Sequence, residues 1–124
     1  MVGAGGFATS AVRRAWPQTT GTIALEGLGA NVSVMRDERG IPTIFADNPA
    51  DLFRAQGFVA AQDRFFEMDL RRHIASGRLA ELVGASGLAS DKAIRTMGWR
   101  KVAEEELPAL APETRQYLGA YADG

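Results

Sequence analysis

No cysteine occurs in the 124 residues, and histidine occurs once, as His73. The first absence excludes disulfides, Cys-ligated zinc and thiol catalysis. The second leaves room for one imidazole base and for no His-rich metal site. An excess of either charge is also missing: 14 Lys and Arg against 15 Asp and Glu give a net charge of −1 and a pI of about 5.8. Such a chain lacks the positive field with which proteins hold nucleic acid, so no nucleic-acid partner is expected. Long apolar runs are absent as well. The small, apolar residues 1–12 fall short of the roughly 20 that a membrane span requires. The charges of Arg13 and Arg14 follow that stretch, whereas a signal peptide carries its charges ahead of the apolar run. Residues 1–15 therefore read as a flexible leader or the remnant of an export segment.

What remains has an ordinary composition, 46% hydrophobic and 23% charged, that of a globular domain or a piece of one. Gly3, Gly5 and Ala8 fit G-x-G-x-x-A, with the acid Glu26 further on. A dinucleotide site needs that motif between a buried strand and a helix. Only Met1 and Val2 precede it, and Pro17 and Gly21 interrupt the following segment, so a glycine-rich leader is the better reading.

From Trp16 onward the pattern is α+β. Residues 22–25 form a short strand candidate. Residues 32–36 alternate apolar and polar, Asp37, Glu38, Arg39 and Gly40 make a turn, and residues 41–46 resume extended structure, so the two runs read as a hairpin. Pro42 has no N–H to donate, which places its strand at an edge or a bulge. Asn48, Pro49 and Asp51 supply a cap, a first-turn proline and a first-turn charge. The helix they start runs to about Ser76, weakened only at Gly57, with Leu52, Ala55, Val59, Gln62, Phe66, Leu70 and His73 along one face. Its length is about 40 Å at 1.5 Å per residue. Apolar side chains on several sides of so long a helix call for more covering protein than this chain supplies. A short turn follows over 78–83 and a loop over 85–89. A helix capped by Ser90 then runs to about Leu107, and a last helix spans 113–121.

The chain contains no G-x-S-x-G, S-x-x-K, P-loop or H-E-x-x-H. His73 lies four residues after Asp69, a spacing that would let a carboxylate orient a general base or simply bond a packed histidine. The latter is the stronger reading. Asp63 and Glu67 lie one helical turn apart, a spacing open to acid–base work or to a hard cation. With Arg64, Arg71 and Arg72 interleaved, and Asp69 alongside, an internal ion-pair network fits better. No catalytic, substrate-binding or metal-ligating residue is assigned.

Three motifs carry more than this. Residues 34–46 read V-x-R-D-x-x-G-x-P-x-I-x-A, through Val34, Arg36, Asp37, Gly40, Pro42, Ile44 and Ala46. Residues 57–68 follow as G-F-V-x-A-Q-D-R-x-F-x-M. Residues 71–81 close with Arg71, Arg72, Gly77, Ala80 and Glu81, and Asp91, Arg95 and the ending from Tyr121 to Gly124 come in order. Residues 16–124 resemble the start of the first (alpha) chain of the penicillin acylase (penicillin amidase) family, which are N-terminal nucleophile hydrolases. Thr43 departs from the histidine many relatives carry there.

The resemblance implies part of a four-layer αββα fold, with residues 16–124 an incomplete domain. It implies a precursor, exported to the periplasm or beyond, that cuts itself into two chains and hydrolyses a linear amide. The small acylated-amine substrates of the family include β-lactam antibiotics, acyl-homoserine lactones and lipopeptides. The nucleophile is the N-terminal Ser of the second (beta) chain, the partner of this one, and its own α-amino group is the base. The first-chain pocket residues, and the first-chain ligand of the calcium that several members bind, fall past Gly124, so this chain itself is expected to hold no cofactor. It is expected to be structural and inactive alone. The competing reading is a non-catalytic α+β binding module that uses the long helix as a partner surface.

Overall fold

The computed structural model describes residues 16–124. The leader and its glycine motif lie outside them. The architecture is α+β: a two-stranded antiparallel ribbon followed by helices. Strand β1 (Ser33–Arg36) pairs with β2 (Pro42–Phe45), setting Val34 opposite Ile44 and Arg36 opposite Pro42. The turn between them is held by Asp37. Its carboxylate accepts from the backbone N–H groups of Arg39 at 2.9 Å and Ile41 at 2.8 Å, and Gly40 takes the positive φ of 78°. Pro42 sits at the first position of β2, where a missing donor costs least. Residues 22–25 are not a strand. No described strand lies beside them to share a hydrogen-bond ladder.

Helix α1 spans Pro49–Ala75. Asn48 caps it as expected, accepting from the Asp51 backbone N–H at 2.9 Å. It is not the uninterrupted rod that its sequence implies. Arg64 has φ −151° and ψ 35°, outside the helical range, and the helix kinks there. Ala55 and Val59 of the expected face are buried, but Phe66 is 72% exposed.

Short α2 (Ala80–Val83) follows, then a 3-10 turn over Gly84–Gly87 and α3 (Leu88–Met97). Ser90 does not cap α3, which begins ahead of it. The helix expected to reach Leu107 is two: Gly98, at φ 71°, closes α3 by returning its N–H to Ile94 and Arg95, and α4 (Trp99–Glu106) starts afresh. A second 3-10 turn, Leu107–Ala109, leads to α5 (Pro112–Asp123), with Pro112 in the first turn.

Helix α5 packs on the first half of α1. The Phe53 and Tyr117 rings stack with centroids 5.0 Å apart, and Arg54 pairs with Asp123 at 2.9 Å. Gly57 is the point of closest approach: a Cβ there would run into the backbone carbonyl of Tyr121. This glycine is therefore not simply a weak point in α1. Its missing side chain lets two backbones meet.

Among the described residues the enclosed apolar side chains are only Ala55, Val59 and Ala120, while Met35, Phe45, Phe65, Phe66 and Trp99 are all more than half exposed. A chain of this length ordinarily encloses larger residues. The two helical glycines differ in a way that can be measured. Gly57→Ala should cost about 3 kcal/mol by forcing backbones apart. Gly119→Ala, in α5 with nothing near its Cβ position, should gain about 0.5–1 kcal/mol. Denaturant midpoints of the two variants should move in opposite directions.

Candidate functional site

Two carboxylates form the best-built polar centres. Asp51, 4% exposed, accepts from the backbone N–H groups of Gly29 at 2.9 Å and Ala30 at 3.0 Å, and from the Asn48 amide at 2.6 Å. These bonds, together with the nearby Arg54 guanidinium, hold its carboxyl below its ordinary value of 3.8. Asp91, 6% exposed, does the same further along, accepting from Leu79 N–H at 2.7 Å and Ala80 N–H at 2.8 Å. Beside it the Arg95 Nε donates to the Gly77 carbonyl at 2.7 Å. Gly77 holds φ 63°, and a Cβ on it would press on the Asp91 carbonyl and the Arg95 side chain. Thus Gly77, Ala80, Asp91 and Arg95 of the motif region form one joint, which fastens the end of α1 to α3.

Each aspartate has the look of an ordinary first-turn helix charge in the sequence. Their long-range partners are backbone groups with no side-chain signature, so no local pattern marks the role.

Asp63 is the third anchor. Both of its oxygens meet the Arg36 guanidinium, at 2.9 and 3.0 Å, and the same Arg36 donates to the Gly40 carbonyl at 3.0 Å. Their side chains are 17% and 26% exposed. The partner of Asp63 is thus on the hairpin, not among the arginines of its own helix. The remaining members of that cluster pair locally, along their own helix. Glu67 pairs with Arg71 at 2.8 Å, which lowers its pKa, and Asp69 pairs with Arg72 at 3.2 Å.

His73 is mostly enclosed. Its Nδ1 lies 2.8 Å from the Asp69 backbone carbonyl, 3.5 Å from the Asp69 carboxylate, and its Nε2 lies 3.7 Å from Glu81. Glu81 is itself engaged by Arg78 at 2.6 Å, an ion pair that lowers the Glu81 pKa and raises that of Arg78. The imidazole is therefore tied to its own helix, with an acid on its far side and no serine or threonine hydroxyl among the described residues hydrogen-bonded to it.

An open groove of about 370 Å³ runs between the end of α1 and α4, past Ser76, Arg78, Arg95, Trp99 and Arg100. Its arginines are committed: Arg78 to Glu81, Arg95 to the Gly77 carbonyl, Arg100 to Glu104. Among the described residues no three acidic or histidine side chains converge as a metal site would require. No described helix is long and apolar enough to cross a membrane.

Polar joints fix helices and a hairpin of an α+β arrangement whose apolar faces are left open. The penicillin amidase family model matches residues 31–124, and the chain belongs to that family. It is 44% identical to penicillin acylase 2 proenzyme of Pseudomonas sp. (strain SE83) over 114 residues, covering 92% of this chain and 15% of that protein. Penicillin G acylase of Escherichia coli is 37% identical over 99 residues, or 80% of this chain and 12% of that one. Acyl-homoserine lactone acylase QuiP of Pseudomonas fluorescens (strain Pf0-1) is 39% identical over 108 residues, 87% of this chain and 13% of that protein. The solved thermostable penicillin G acylase of Alcaligenes faecalis superposes with a TM-score of 0.68 at 32% identity, covering 75% of this chain and 50% of that one. This chain thus spans only 12–15% of the length of these curated relatives.

The depressed Asp51 pKa makes a pH prediction. The fold favours the charged carboxyl, so its stabilisation is complete above the ordinary value of 3.8 and is lost as pH falls through the lower folded value. Asp51→Asn should lower the unfolding midpoint at neutral pH and flatten the loss of stability as pH falls below about 4. Thermal unfolding followed across that range checks it.

Proposed function

We propose that this chain is an early part of the first chain of an acylase precursor, one that hydrolyses a linear amide to release an acyl group from an amine. The family match over residues 31–124 carries this reading. The relatives named above act, by their names, on penicillins and on acyl-homoserine lactones, which share an acyl group on an amine nitrogen. That shared bond is the substrate class proposed here. The segment takes no part in bond cleavage: it fixes the hairpin and α1 as a frame against which the catalytic chain packs.

Maturation into two chains belongs to the same proposal. One relative carries the name proenzyme, and the aligned stretch is 15% of it but 50% of the solved penicillin G acylase chain. A chain several times shorter than the precursor is what internal cleavage produces. The nucleophile would then be the new N-terminal Ser of the second chain, with its α-amino group as base. The enzyme would work outside the cytoplasm. Calcium, where the intact enzyme uses it, would take its ligands from the rest of the precursor.

The full-length gene product should separate into two chains under denaturing conditions and should release free acid from an acylated amine such as a phenylacetylated chromogenic amide or an acyl-homoserine lactone. His73→Gln should leave kcat/KM within about threefold of wild type, since a general base contributes 10²–10⁴-fold. A single unprocessed chain with no amidase activity, or a loss of that larger size at His73, would overturn the reading.

A further inference from the structure

Sharp helix kinks ordinarily follow a proline, a glycine or an inserted side chain or water. Neither of the first two lies at Arg64: the nearest glycine is Gly57, two turns earlier, and Pro49 opens the helix. What does lie there is the adjacent residue Asp63, gripped through both oxygens by Arg36 at the turn end of the hairpin. Directly beyond the kink come Phe65, 64% exposed, and Phe66, 72% exposed. The stacking, ion-pair and backbone contacts of α5 with α1 include Phe53, Arg54 and Gly57, all ahead of the kink, and leave both rings open.

We propose that the Arg36–Asp63 pair holds the kink, and that the kink aims Phe65 and Phe66 as a wedge into an apolar surface supplied by the rest of the same acylase. The occupant follows from proportion. This chain is 12–15% of its curated relatives and half of the solved chain it superposes on, and among its described residues no large side chain is enclosed. Two adjacent phenylalanines left in water lose the stabilisation that burying each would bring. The inference rests on the acylase reading for the identity of the covering protein. The kink itself rests on the geometry alone.

No cysteine occurs in these 124 residues, so a labelled peptide from this region reports the introduced one alone. In the full-length gene product, Phe66→Cys is labelled with a maleimide and the modified peptide is quantified, with Lys101→Cys on α4 as the open reference. Position 66 should react at least tenfold more slowly than position 101. Adding Asp63→Arg should raise its reactivity severalfold, and adding Arg36→Asp to that variant should restore protection. Phe65→Cys serves if Phe66→Cys fails to fold. Equal labelling at 66 and 101 overturns the wedge, and protection that ignores the charge variants overturns the latch. Amide hydrolysis by the wild-type protein is scored separately. An active enzyme whose position 66 labels freely sinks this inference alone. Protection at position 66 in a protein without amidase activity instead sinks the acylase reading and leaves the wedge.

Discussion

Asp51 and Asp91 each accept hydrogen bonds from two consecutive backbone N–H groups that lie more than ten residues away in sequence. A charged acceptor makes each of these bonds stronger than a neutral one, and the paired donors fix direction as well as distance. The rest of the segment depends on them. Asp51 lays the chain that leads into the hairpin against the start of α1. Asp91 lays the chain that leaves α1 against α3. With only Ala55, Val59 and Ala120 enclosed among the apolar side chains of the described residues, the relative placement of these elements does not come from a filled core. It comes from charged groups that satisfy backbone donors which would otherwise be stranded.

Close backbone approach is the second device. Gly57 lets α1 meet the end of α5, Gly77 turns the chain left-handed over α3, and Gly87 brings its turn against Ala80, where a Cβ would sit 2.7 Å from the nitrogen. Each closes a gap that a side chain would open, and two of the three sit beside the Asp91 joint. Glycine and aspartate act together there. The glycine removes bulk so that the carboxylate can reach the amides, and the carboxylate supplies the attraction that a glycine cannot.

Local chemistry was legible in the sequence. The hairpin, its Asp37–Gly40 turn, the Asn48 cap, the proline start of α1 and the α+β class all follow from residue types whose preferences act within a few positions. The family was legible in the three motifs. What escaped was non-local. Asp51 and Asp91 look like dipole-complementing charges until their distant amides are known, and Asp63 looks like part of an i to i+4 network until Arg36 arrives from the hairpin. Gly57 reads as a flaw because its partner, the Tyr121 carbonyl, is 64 positions away. The kink at Arg64 has no local marker at all, and the expected apolar face fails just past it, at Phe66. Gly98 sits between two stretches that both read as helix, so the break it makes goes unmarked in the pattern. The candidate chemistry of Asp69 and His73 was readable as a spacing, yet only coordinates show that the ring bonds a backbone carbonyl.

The third anchor differs from the other two in a way that links stability to assembly. Arg36 and Asp63 keep some contact with water, and an ion pair so placed is ordinarily worth no more than about 1 kcal/mol. Covering the neighbouring Phe65 and Phe66 would lower the local dielectric and strengthen the attraction between the two charges. The same covering would tax the pair for its lost hydration, a cost that bidentate geometry and the extra bond from Arg36 to the Gly40 carbonyl help to offset. Pair and wedge would then reinforce each other. An intact pair presents the rings, and seated rings shield the pair. A segment built in this way need not be rigid alone. It would gain its definition as the rest of the proposed acylase closed over it, since its own buried apolar surface is small.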